Sequence, residues 1–101
     1  MEQFARITRM VGSSWIECLR NKKVAVFGLG GVGSYVVEAL VRNGIGELVL
    51  VDHDIIDITN LNRQLYALHS TIGMNKVDVA RARCLDINPN LKITTYQQFY
   101  L

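Results

Sequence analysis

The sequence predicts an α/β fold: a Rossmann-like β-α-β-α-β half of a doubly wound, mainly parallel sheet, with a short N-terminal helix in front. Three observations predict it. Two compact apolar runs, "KVAVFG" from Lys23 and "ELVLVD" from Glu47, end in Gly28 and Asp52, the residue types found where buried strands stop at a ligand edge. Each run is followed by a stretch containing helical spacing, and a β-branched run, "LKITTY", comes third. Gly28, Gly30 and Gly33 spell G-x-G-x-x-G between the first strand and the first helix, a turn that lets backbone approach a phosphate.

The elements follow in order. "SSWIECLRN" predicts a short helix, with Ser14 and Glu17 as a capping box and Trp15 or Ile16 with Leu19 as its apolar face. Strand "KVAVFG" leads through the glycine turn to a helix over Val32–Asn43, with Val32, Val36, Ala39 and Leu40 on the buried side and Gly44 as its stop. Strand "ELVLVD" closes at Asp52. The long segment after it contains one helical turn around Asn62–Leu68. A helix over Asn75–Ile87 then buries Val77, Ala80, Cys84 and Ile87, "NPN" breaks it, and "LKITTY" returns as a strand.

The 101 residues suffice for one small domain. With 50% hydrophobic and 20% charged residues the chain is globular rather than disordered. A net charge of +2 is too small to argue for nucleic acid or membrane. No apolar run approaches the roughly 18 residues of a membrane span, and no secretory signal is visible. Cys18 and Cys84 match no metal spacing and read as reduced, half-buried thiols of a cytoplasmic protein. Right-handed crossovers place both helices on one sheet face. The first strand is apolar on both sides, so one face and one edge lack cover. The expectation is a single ATP-binding half-domain over 1–101, truncated after its third strand.

Asp52 ends its strand 19 residues after Gly33, near the spacing of a carboxylate that binds ribose hydroxyls. NAD and ATP both carry those hydroxyls; NADP, with its extra phosphate, is disfavoured. A triphosphate needs side-chain cations besides a helix N-terminus. "TNLNRQ" supplies Asn60, Arg63 and Gln64 just past the strand, and Lys76 opens the next helix. These residues favour ATP without excluding a dinucleotide. An NAD-dependent oxidoreductase leaves them unexplained. Asp54 reads equally as a partner of the site and as a turn former. His53 and His69 show no metal or acid–base pattern, and Tyr66 and Trp15 read as packing residues.

The combined run "GLGGVGS…GIGELVLVDHDIIDITNLNRQ…GMNK" resembles the adenylating enzymes related to ubiquitin-activating enzyme. "RITRMVG", "NRQLYALHSTIG" and "INPNLKITTYQQFY" resemble the branch of tRNA threonylcarbamoyladenosine dehydratases most. That resemblance implies ATP-dependent activation of a carboxylate, the threonylcarbamoyl side chain of a modified tRNA adenosine, which then cyclises with loss of water. It also implies site roles. Gly28, Gly30, Gly31 and Gly33 would admit the nucleotide and Asp52 would take the ribose. Asn60, Arg63 and Lys76 would meet the triphosphate, with Gln64 beside them. Arg6, with Arg9 as its rival, would reach the ATP of the other subunit of a homodimer. Magnesium is implied with ATP, its main aspartate lying after residue 101, as would the substrate half, any catalytic cysteine and any zinc pair. An adenylyltransferase for a ubiquitin-like sulfur carrier, of the molybdopterin or thiamine type, shares all these residues. An inactive nucleotide-binding fragment is the third reading, and the 101 residues alone are expected to be inactive.

Overall fold

In the computed structural model, which describes residues 2–99, the N-terminal region holds two helices where the sequence suggests one. A 3₁₀ turn over Glu2–Phe4 leads into α1 (Ala5–Val11), and Gly12, at φ 91°, breaks the chain before α2 (Ser13–Arg20). Only a residue without Cβ adopts that φ readily. The expected Ser14–Glu17 capping box is absent because Ser14 already lies inside α2, whose N-cap is Gly12. Ile16, not Trp15, is the buried residue of this helix: they are 5% and 63% exposed.

The three apolar runs form β1 (Lys23–Phe27), β2 (Glu47–Val51) and β3 (Lys92–Tyr96), joined by α3 (Gly31–Arg42) and α4 (Lys76–Ile87). The strands are parallel in the order β1-β2-β3, and Lys23, Glu47 and Lys92 share the first row. Val26, Leu48 and Leu50 meet Val37 and Val41 of α3 and Val77, Ala80 and Cys84 of α4 in one core. Both crossover helices therefore cover the same face, as right-handed connections require. On the other face Ala25, Thr94 and Tyr96 are exposed. β1 is consequently less buried than its apolar sequence suggests.

The buried side of α3 differs from the expected one. Val32 is 80% exposed, and Val36 and Ala39 also face outward, whereas Ser34, Val37 and Val41 are buried. Apolar residues occur nearly all round this helix, so spacing alone defines two plausible stripes and packing selects one. The thiols also part company: Cys84 is buried and Cys18 exposed, rather than both half-buried. Burial pushes the Cys84 thiol up to about 11.

Glu38 locks α3 to α4. Arg83 donates to its two carboxylate oxygens at 2.8 and 3.0 Å, and Arg42 adds a third bond at 2.7 Å. The Arg83 hydrogen bond is the main reason Glu38 sits below the usual carboxylate range. At the far ends of both helices, Gln3 donates to the Ile87 carbonyl at 3.0 Å and Phe4 is buried near Gly44. The N-terminal segment thus starts from the edge where strands begin. The edge where strands end is left to loops.

Candidate nucleotide site

The turn after β1 is built by two glycines with different duties. Gly28 adopts φ 95° and donates its N–H to the Val51 carbonyl at 2.8 Å, tying the turn to β2. A Cβ on Gly33 would run into the Gly28 carbonyl oxygen, so Gly33 allows α3 to start against the turn. Between them Leu29 is fully buried and anchors the loop. Neither duty explains Gly30 or Gly31. A Cβ on Gly30 would meet only Gln64 Nε2, at an ordinary 3.7 Å, and one on Gly31 would meet nothing within 4 Å. No side chain caps α3, and the first N–H groups of a helix have no intrahelical partner. The result is bare backbone with open space beside a positive helix end, which suits an anion.

Asp52, buried at the tip of β2, accepts the Leu29 N–H at 2.6 Å through Oδ2 and the Asp54 N–H at 2.8 Å through Oδ1. Each carboxylate oxygen has a second lone pair, so the group retains capacity for hydroxyl donors. Asp54 holds the start of α4 twice. Its carbonyl accepts the Lys76 N–H at 3.1 Å and its Oδ2 lies 3.5 Å from Lys76 Nζ. The Lys76 side chain is only 6% exposed, so the helix-opening cation is buried rather than solvated. His53 Nε2 sits 3.0 Å from Asp54 Oδ1, and its ring stacks on Phe99 with centroids 3.9 Å apart. Gln97 reaches back to Asn75, the N-cap of α4, at 2.7 Å.

The loop between β2 and α4 is ordered by Asp57 and Asn60. They cap a 3₁₀ turn over Ile58–Asn60 reciprocally, with Asn60 Oδ1 accepting the Asp57 N–H at 2.9 Å. The helical turn expected at Asn62–Leu68 therefore forms earlier, because Asp57 offers a cap and Asn62 does not. The Asn60 carbonyl accepts the N–H groups of Arg63 and Gln64. Asn60 is buried, and its oxygen is engaged in this turn. Arg63 is exposed and donates Nη1 to the Thr59 carbonyl at 2.9 Å and to Asn62 Oδ1 at 3.2 Å. Tyr66 is buried, which raises its phenol, and lies 3.5 Å from the Ser34 carbonyl.

The glycine turn, Asp52, Gln64 and Lys76 thus come together where the strands end, with Asn60 and Arg63 on the loop beside them. Arg6 and Arg9 do not join them: both are exposed on α1, which begins at the opposite edge. Asp54, read from sequence equally as a site partner and a turn former, pairs with Lys76; the His53–Phe99 stack is an addition to the sequence reading. The spacing "DHD" held a signal for the first; nothing in the sequence marks Phe99. Asp52, His53 and Asp54 also bring one donor atom each within 4.8 Å of one another. Among the described residues, no helix is long and apolar enough to cross a membrane.

The ThiF family model matches residues 3–100. The tRNA threonylcarbamoyladenosine dehydratase of Bacillus subtilis is 50% identical over 100 residues, which span 99% of this chain and 39% of that protein. Ubiquitin-like modifier-activating enzyme 5 of Bombyx mori is 46% identical over 80 residues, covering 79% of this chain and 20% of that one. The crystal structure of E. coli tRNA N6-threonylcarbamoyladenosine dehydratase in complex with ATP superposes with a TM-score of 0.95 at 37% identity, covering 97% of this chain and 40% of that structure. The chain spans about two fifths of the length of the dehydratases it matches.

Proposed function

The chain belongs to the ThiF family, and from that premise we propose that it is the ATP-binding half-domain of an adenylating enzyme. Its acceptor is the threonylcarbamoyl carboxylate of a modified adenosine in tRNA. The carboxylate oxygen attacks the α-phosphorus and pyrophosphate leaves; the acyl-adenylate then cyclises by expelling AMP, so that the side chain has lost the elements of water. Lys76 is the observation that carries the reading. It is a buried ammonium whose carboxylate partner, Asp54, is half exposed and 3.5 Å away. A buried charge is costly unless well paired, and a phosphate at this edge completes its coordination. Gly30 and Gly31 leave room for that phosphate, and Asp52 has lone pairs for the ribose.

In this reading Lys76 and Arg63 stabilise charge that builds on the phosphoryl oxygens and the leaving group. Asn60 meets the triphosphate with them, with Gln64 beside it, and Asn60 also orders the loop that carries Arg63. Magnesium, when bound, neutralises phosphate charge. It prefers few protein oxygens and several waters; Asp54, half exposed where Asp52 is buried, is the carboxylate that would reach it. Arg6, exposed and remote from its own site, serves the ATP of a second copy in a homodimer. The exposed sheet face around Ala25, Thr94 and Tyr96 supports the half-domain reading, since parallel sheets are ordinarily covered on both faces. The similarity to ubiquitin-like modifier-activating enzyme 5 favours a carrier protein as the alternative acceptor. Titration calorimetry with ATP and NAD tests the nucleotide: ATP should bind the more tightly, and preference for NAD overturns the proposal.

A further inference from the structure

The edge where the strands begin carries a charge cluster that the nucleotide chemistry does not use. Parallel strands start on one side, so the first row of the sheet sets Lys23, Glu47 and Lys92 next to one another. Strand spacing puts the two lysine backbones about 10 Å apart. The end of α2 is sewn to the same row. Gly46 donates to the Leu19 carbonyl at 3.2 Å, Glu47 to that of Lys22 at 3.1 Å, and Lys92 to that of Gly46 at 3.2 Å. A Cβ on Gly46 would run into the Arg20 carbonyl, so this close seam depends on glycine there. Arg20, Lys22, Lys23 and Lys92 consequently line one shallow concavity of about 190 Å³, with Glu47 as its single carboxylate.

All four cations are exposed. Lys23 lies 3.7 Å from Glu47, and among the described residues no carboxylate comes within 4.0 Å of Arg20, Lys22 or Lys92. Arg20 is in the last turn of α2 and gains from the helix dipole. Lys22 directly follows the C-cap Asn21 and shares that gain, whereas Lys23 and Lys92 lie on strands, so helix stability does not account for these two. The small net charge of the chain conceals this asymmetry. The ligand edge carries Asp52, Asp54, Asp57 and Asp78 against Arg63 and Lys76, while the row where the strands begin sets Arg20, Lys22, Lys23 and Lys92 against Glu47.

We infer that Arg20, Lys22, Lys23 and Lys92 form a contact surface for the phosphate backbone of RNA, separate from the nucleotide site. Lysines spread over a shallow surface bind as point charges and suit a repeating anion without reading its bases. Five-residue strands separate this edge from Asp52 by about 17 Å, a span of about five stacked nucleotides at 3.4 Å each. An RNA that inserts one nucleotide at the far edge has backbone enough to lie along this one. The inference extends the tRNA reading of the site, but its test requires neither ATP nor the modified base.

An unmodified RNA stem-loop is titrated onto the chain, without nucleotide, over a range of salt concentrations. Three forms are compared: wild type, K22Q/K23Q/K92Q and K22R/K23R/K92R. Wild type should bind with affinity that falls steeply with salt. The glutamine variant should bind at least about tenfold more weakly with a salt slope smaller by about two to three, and the arginine variant should match wild type. Thermal unfolding of each form separates lost contact from lost fold, and ATP titration of the same forms reports the nucleotide site independently. The inference is overturned if glutamine leaves RNA affinity intact, if arginine does not preserve it, or if wild type holds anionic vesicles and not RNA.

Discussion

Asp52 Oδ2 accepts the backbone N–H of Leu29 at 2.6 Å, so the carboxylate that ends β2 also fixes the glycine turn that ends β1. One side chain thereby organises both parts of the candidate site. Asp52→Ala is expected to weaken ATP binding by about 1–3 kcal/mol, the scale of losing a buried charge-assisted bond. Calorimetry gives the affinity, and amide exchange at Leu29 should quicken in the same variant. An unchanged affinity would remove Asp52 from the site.

The glycines separate folding from binding. Gly33→Ala places a methyl against the Gly28 carbonyl and should lower the unfolding free energy by several kcal/mol, in the range of backbone-level overpacking. Gly31→Ala meets open space, at a helical position where alanine is favoured by up to about 1 kcal/mol. It should leave stability unchanged or higher while weakening ATP binding. Denaturant unfolding and calorimetry on the two variants check both halves of the statement.

Lys76 and Arg63 should matter more for rate than for affinity. In a chain of the length of its dehydratase relatives, Lys76→Ala and Arg63→Ala are each expected to slow ATP–pyrophosphate exchange by roughly ten- to a thousand-fold, the effect of removing one transition-state donor. Exchange stimulated by tRNA bearing threonylcarbamoyladenosine supports the proposed acceptor. Exchange stimulated only by a carrier protein ending in Gly-Gly assigns the site to the alternative.

Glu38 makes stability depend on pH. Its carboxyl lies below the usual range in the fold, chiefly through the Arg83 hydrogen bond. A depressed carboxylate contributes stability that is fully present above its unfolded value, near 4.5, and is lost as pH falls through the folded one. Arg83 and Arg42 are partly exposed, and solvent screening reduces the size of the effect. Unfolding midpoints should therefore fall between about pH 5 and lower values, and Glu38→Gln should flatten that acid limb while lowering stability at neutral pH.

The two cysteines should differ in reactivity. Cys18 is exposed, whereas Cys84 is buried with its thiol pushed up to about 11; only the thiolate is nucleophilic. A thiol reagent at pH 8 should label one residue per native chain and two after unfolding. Peptide mapping should place the first label on Cys18.

The strands, their parallel order and the glycine turn were legible in the sequence by itself. Continuous apolar runs separated by helix-length crossovers leave little freedom in how "KVAVF", "ELVLV" and "KITTY" pair, and the face Val77, Ala80 and Cys84 of α4 recurs at helical spacing between Asp78, Arg81 and Arg83. The inward side of α3 was not legible. With Val32, Val36, Val37, Leu40 and Val41 distributed around the helix, only its contact with β1 and α4 decides which valines leave water. The N-terminal break was also hidden, since a local capping signal at Ser14 competes with Gly12, and the left-handed φ that splits the helices belongs to Gly12. For the site, residue type and spacing could nominate Asp52, Asn60, Arg63, Gln64 and Lys76, because these are properties of a linear pattern. That Lys76 is buried against Asp54, that Asp52 grips Leu29, and that Arg6 lies at the other end of the sheet are distances between residues far apart in the chain. Hydrophobic patterning specifies which elements form; only the packed fold specifies which of their polar atoms meet.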